Sequence, residues 1–212
     1  GHYGSGKSEF AVNLALKKNN EYPVCLVDLD IINTYFRSRE VREFLNNKGI
    51  EVVSDTLNST KGLDMPYLSP AIKGKISKRD KLVILDCGGD ANGAKVLIQY
   101  HNDIVDTNYE MWMVVNVFRK ETSTAKQIIK MIESLENESG LKITGLINNS
   151  NYLKQTTVED IIYSNQIIKE VVALTNIKVI YTSSIESLIP HLPNDILGDK
   201  FPLKIYLREK WL

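Results

Sequence analysis

The chain has 212 residues, 43% of them hydrophobic, and its 26 Lys+Arg are balanced by 26 Asp+Glu. That suits one large α/β domain with a buried core and excludes a global charge that would draw the chain onto nucleic acid or an acidic membrane. The two cysteines, Cys25 and Cys87, stand outside any C-x-x-C pair, so no single-chain thiolate cluster is encoded and a reduced, cytoplasmic setting is expected. No run of 18 apolar residues and no basic-then-apolar leader marks a spanning helix or a signal peptide.

In chain order, residues 1–8, GHYGSGKS, fit the pattern G-x-x-x-x-G-K-[ST]. A helix is predicted over 8–18, where Phe10, Ala11, Leu14 and Ala15 recur at helical spacing, followed by a strand over 23–28. The alternation continues with a helix at 39–47, a strand at 50–54, a helix at 69–77, a strand at 82–86, a helix at 94–104 and a strand at 111–118. Then come a helix at 124–137, a strand at 143–149, a helix at 157–175 and a strand at 178–184. Apolar strands between amphipathic helices predict a mostly parallel sheet covered on both faces, a three-layer α/β/α sandwich over 1–212. A phosphate loop is launched from a buried strand, so an apolar strand upstream of Gly1 is expected.

Three stretches carry chemistry. In the first, Gly1, Tyr3, Gly4, Ser5 and Gly6 form a candidate cradle whose backbone N–H groups turn around phosphate oxygens, aided by the positive end of the following helix. Lys7 reaches the β/γ-phosphates and Ser8 offers its hydroxyl to Mg²⁺. In the second, LVILDCGG, four apolar residues run into Asp86, an acid placed to support Mg²⁺, and Gly89 completes a D-x-x-G arrangement that senses the γ-phosphate. In the third, VDLDII, Asp28 and Asp30 stand two residues apart, so in an extended segment they share one face toward the metal and the attacking water. A turn or helix-capping role for either carboxylate stays open.

Phosphate loop, VDLDII, LVILDCGG and a strand ending in INN together resemble the MinD/ParA branch of P-loop ATPases, which includes the nitrogenase iron protein and the ATP-binding half of cobyrinic acid a,c-diamide synthase. The resemblance covers most of the chain. It implies a P-loop NTPase fold, ATP and Mg²⁺ as ligands, Asp30 orienting the attacking water, Asp86 supporting the metal, and Asn148 or Asn149 contacting adenine. It also implies a nucleotide-driven switch acting on a protein partner, with a homodimer possible. The departure is His2, which stands where members with the deviant loop carry a lysine that reaches the partner's nucleotide. Any dimer is therefore expected to persist without ATP or to use other surfaces.

Other readings of the same motifs are a small-molecule kinase, an ATP-dependent ligase and a nucleotide-gated binding module. Arg37, Arg39 and Arg42 are expected on a solvated helix face, as are Lys73, Lys75, Lys78, Arg79 and Lys81. His101 is expected at a plain polar helix position. Leu203, Ile205 and Leu207 alternate in strand fashion, which predicts a tail packed against the domain.

Overall fold

The computed structural model describes residues 1–30, 42–54 and 70–207; Arg37, Arg39 and the tail beyond Leu207 lie outside them. The chain alternates α1 (Lys7–Lys18), β1 (Val24–Leu29), α2 (Arg42–Asn47), β2 (Glu51–Ser54), α3 (Pro70–Lys78), β3 (Leu82–Cys87), α4 (Ala91–Lys95) and α5 (His101–Val105). It continues through β4 (Trp112–Val115), α6 (Ala125–Ser139), β5 (Gly145–Asn148), α7 (Val158–Thr175), β6 (Val179–Ile185) and β7 (Asp199–Leu203). Every strand pair among the described residues is parallel.

The strands form two sheets, in the orders β2-β1-β3 and β4-β5-β6-β7. Successive side chains on a strand point to opposite faces, and the core follows that parity. Cys25, Val27 and Leu29 of β1 pack with Ile72 of α3 and Ile104 of α5, while Val24 and Leu26 pack with Ala11, Val12 and Ala15 of α1. In the other sheet Met113 and Val115 of β4 pack with Ile128 and Ile132 of α6, while Val114 packs with Phe10 and Leu14 of α1. Helix α1 thus lies across both sheets on one face, with α3, α5 and α6 on the other. This is the expected α/β/α arrangement.

The helix expected at 94–104 is divided: α4 and α5 are separated by a 3₁₀ segment, Val96–Tyr100. Leu97 and Tyr100 are both buried in the same core cluster, and the three-residue repeat of a 3₁₀ turn aligns them. The strand expected at 111–118 stops at Val115, because the Asn116 side chain accepts a hydrogen bond from Phe118 N (3.0 Å) and turns the chain. The tail contributes β7: Phe201 and Leu203 are buried beside Phe10 and Tyr181, and Leu207 is buried too. Within the basic stretch, Lys75 and Lys81 pair with Glu51 at 2.6 and 3.0 Å, and Lys73 pairs with Asp103 at 3.6 Å. Much of its charge is already matched. His101 Nε2 lies 3.3 Å from the Gly140 carbonyl oxygen, at the end of α6. Among the described residues no helix is long and apolar enough to cross a membrane.

Helix α7 starts at a capping box, in which the Thr157 hydroxyl accepts from Asp160 N at 3.2 Å and Asp160 Oδ2 accepts from Thr157 N at 2.9 Å. Thr157→Ala leaves the Asp160 amide without its side-chain acceptor, an expected loss of about 1 kcal/mol. In a domain of this size that lowers the melting temperature by roughly 2–4 °C. A calorimetric scan in which the variant melts with the parent would show that the cap contributes nothing.

Candidate functional site

The phosphate loop turns on two glycines in the left-handed region, Gly4 (φ 75°) and Gly6 (φ 84°), where other residues are strained. Ser5 N donates to the His2 carbonyl (3.1 Å), and the Gly6 carbonyl accepts from Phe10 N (2.9 Å) to open α1. Gly6 has no side chain to cap that helix, so the first-turn N–H groups gather around one point with no internal acceptor, an arrangement that favours an anion. Lys7 Nζ lies 3.4 Å from the His2 carbonyl oxygen. A Cβ on Gly89 would come within 2.5 Å of the same Nζ, so Gly89 and Lys7 are in contact.

The acids come together for a reason of register. Asp28 and Asp86 are lateral partners on the parallel strands β1 and β3, and their parity with Leu26 and Ile84 puts both on the α1 face, beneath the loop. Asp86 is buried, the Ser8 hydroxyl is bonded to it, and its Oδ2 has no hydrogen-bond partner. Its pKa is pushed up to about 7, chiefly by burial, with Asp28 and Asp30 adding to the rise and Ser8 and Lys7 opposing it. A buried carboxylate oxygen without a partner is costly. Beside a serine hydroxyl it suits Mg²⁺, which binds through one or two protein oxygens and otherwise keeps phosphate and water. Ser8 and Asp86 would hold it, with Asp28 alongside. Among the described residues no three His, Cys, Asp or Glu side chains converge as a full metal cage. Asp30 is buried just beyond β1, its amide donating to Asp28 Oδ1 at 3.2 Å. A Cβ on Gly88 would lie 3.6 Å from Asp30 Oδ1, so Asp30 sits against the segment that follows Asp86.

Beyond the loop a small cleft of about 90 Å³ runs from Tyr3, Gly4, Lys7 and Ser8 to Asn149, Asn151, Ser184 and Leu207. The two asparagines at the end of β5 have different fates. Asn148 turns to α7, where its amide donates to Ser164 Oγ (2.9 Å) and its Oδ1 accepts from Ser150 N (3.2 Å). Asn149 faces the loop: its Nδ2 donates to the Ser5 carbonyl (2.8 Å), its Oδ1 accepts from Ser183 Oγ (2.9 Å), and a Cβ on Gly6 would collide with Nδ2. Asn149 therefore braces the loop and lines the cleft, whereas Asn148 is absorbed by packing.

Three contributors carried no sequence signal. Arg119, in the turn after β4, donates from Nε to the Gly4 carbonyl at 3.2 Å. Glu121 approaches His2, with 3.3 Å between Oε2 and Nδ1, so His2 is engaged within its own chain. Asn116 stitches that turn to the β5 turn by donating to the Asn151 carbonyl (3.0 Å).

The α/β fold with its parallel strands is shared with solved structures. Among solved structures it is similar to FtsY from Mycoplasma mycoides, with a TM-score of 0.56 and 16% identity over 85% of this chain and 56% of that one. It is also similar to cell division protein FtsY from Thermotoga maritima, with a TM-score of 0.45 and 21% identity over 69% of this chain and 49% of that one. The chain spans about half the length of each. No protein-family model matches it, and no curated protein does.

Proposed function

We propose that the chain is a Mg²⁺-dependent ATP-binding protein and ATPase of the MinD/ParA/CobQ-like type, in which nucleotide turnover switches the segments around Asp30 and Asp86 and so controls contact with a protein partner. The observation that carries the reading is the convergence of Lys7, Ser8 and the unpartnered Asp86 oxygen at the open N-terminus of α1. The P-loop NTPase fold supports it. In this reading the loop amides and Lys7 hold the β/γ-phosphates, Ser8 and Asp86 hold Mg²⁺, and Asn149 keeps the loop in its left-handed turns. Asp30 positions the attacking water. Mg²⁺, when bound, would neutralise phosphate charge. The contact of Gly89 with Lys7 gives the switch its physical basis, since a ligand on Lys7 must be felt by the D-x-x-G segment.

The experiment is phosphate release from ATP with Mg²⁺ and with excess chelator: release that needs Mg²⁺ supports the reading, and none above buffer contradicts the ATPase. The base is tested separately. GLINNSN lacks the N-K-x-D sequence that selects guanine, so ATP should compete for the site at least as well as GTP. A competition titration in which GTP binds tenfold tighter, a difference of about 1.4 kcal/mol, would overturn the preference for adenine.

A further inference from the structure

The cleft beside the phosphate loop is small for a nucleotide. Pockets for ligands of that size run to about 300–1,000 Å³, whereas this cleft measures about 90 Å³. Its loop end can take phosphates, but a base and sugar need one wall to give way. Most of the walls are fixed. The phosphate loop is braced by Asn149 on the Ser5 carbonyl and by Arg119 on the Gly4 carbonyl. The turn after β5 is tied by Asn151 Nδ2, which donates to the Asn149 carbonyl (2.7 Å), and by Asn116, which donates to the Asn151 carbonyl (3.0 Å). The end of β6 is paired with β7 as far as Ile185 and Leu203.

The remaining wall is held differently. It is formed by Ile205 and Leu207, and among the described residues strand pairing stops at Leu203. Residues 204–207 run on against α1, where two of its side chains grip their backbone. Asn13 Nδ2 donates to the Lys204 carbonyl and Asn13 Oδ1 accepts from Lys204 N, both at 2.9 Å. One turn earlier, Glu9 Oε1 accepts from Tyr206 N (2.6 Å) and Oε2 from Leu207 N (3.2 Å). Residues 9 and 13 are i,i+4 neighbours on one helix face, so both reach the same extended segment. Asn13 is buried, and a buried amide is costly unless it is bonded; here its oxygen and nitrogen both serve residue 204. Tyr206 also stacks on Phe44 of α2, with ring centroids 5.4 Å apart.

We propose, on the reading that nucleotide phosphates sit at the loop, that residues 204–207 are a strap closing the nucleoside end of the cleft, and that Glu9 and Asn13 are its latch. The strap leaves α1 when the base and sugar of a nucleotide enter. Releasing these side-chain hydrogen bonds breaks no strand pair and no helix, and segments with few such ties open most readily. While the nucleoside fills the cleft, Leu207 cannot return to its place and the latch stays undone. The same movement is felt at α2 through Phe44, and α2 is the first described element after Asp30.

The test titrates ATP and inorganic tripolyphosphate, both with Mg²⁺, into the 212-residue protein and into Asn13→Ala. A strap that must open for ATP divides its apparent affinity by the fraction of molecules already open, so breaking the latch should tighten ATP binding about five- to tenfold. Tripolyphosphate needs only the loop and should bind both proteins within about twofold. A merely structural Asn13 would weaken both ligands. In the parent, ATP should speed amide exchange at Tyr206 and Leu207 by about tenfold, and tripolyphosphate should leave it unchanged. ATP binding that weakens or stays level in Asn13→Ala, or strap amides that ATP protects or leaves alone, would overturn the proposal. Should Asn13→Ala fail to fold, the exchange measurement on the parent decides alone. Ligand binding without a response in the strap removes the strap and leaves the phosphate seat standing. Binding of neither ligand removes the phosphate seat, and the strap with it.

Discussion

Asp30→Asn is expected to keep ATP affinity within about threefold of the parent while slowing hydrolysis by roughly 10²–10⁴, the range for losing a positioned general base. Asp30 lies on the α1 face just beyond Asp28, against the segment that follows Asp86. In the proposed mechanism its charge acts on the attacking water and contributes little to the ground state, so its removal lowers turnover far more than binding. The substitution preserves shape, and the contact that fixes the local backbone is the Asp30 amide on Asp28 Oδ1, which the change leaves alone. Asp86→Asn should behave differently. Its unpartnered Oδ2 is assigned to Mg²⁺, so ATP retention and the Mg²⁺ requirement should weaken together. Single-turnover hydrolysis beside equilibrium binding separates the two acids. Hydrolysis at the parent rate by Asp30→Asn would reduce Asp30 to a turn carboxylate and pass the water-orienting role to Asp28.

Lys7→Ala is expected to lose about 2–4 kcal/mol of ATP affinity through its charge-assisted contacts to the β/γ-phosphates, with the fold intact. In the structure Lys7 Nζ makes a long contact with the His2 carbonyl, at 3.4 Å, beyond the usual N–H···O range of about 2.7–3.2 Å. The loop is held instead by Asn149 on the Ser5 carbonyl and by Arg119 on the Gly4 carbonyl. Truncating the lysine therefore removes charge without removing the braces. Circular dichroism should match the parent, and a calorimetric titration should show the loss; micromolar ATP binding by the variant would remove the phosphate-loop assignment.

The parts of this site legible in the sequence are those encoded locally. GHYGSGKS specifies its own turns because Gly4 and Gly6 must enter the left-handed region. The i,i+2 spacing of Asp28 and Asp30 places both on one face as soon as β1 is extended, and the run LVILD gives Asp86 the same parity. The strand order was not legible, because it depends on pairings between distant segments. The fates of Asn148 and Asn149 also escaped the sequence. They are adjacent residues of one type, and only the positions of Ser164 and Ser5 decide which is absorbed by packing and which braces the loop. Arg119 reaches Gly4 across 115 residues of chain, and such a contact leaves no periodic trace. The 3₁₀ break at Val96–Tyr100 was hidden by residues that suit a continuous helix equally well.

The proposed function assigns nucleotide phosphates to the loop at α1 and Mg²⁺ to Ser8 and Asp86. Equilibrium titration of ATP into the protein, in Mg²⁺ and in excess chelator, tests it most directly. Saturable binding of one ATP per chain is expected, weakening about tenfold or more when Mg²⁺ is removed, since Ser8 and Asp86 would then lose the cation that joins them to the phosphates. Absence of ATP binding, or binding of equal strength in both conditions, would contradict it.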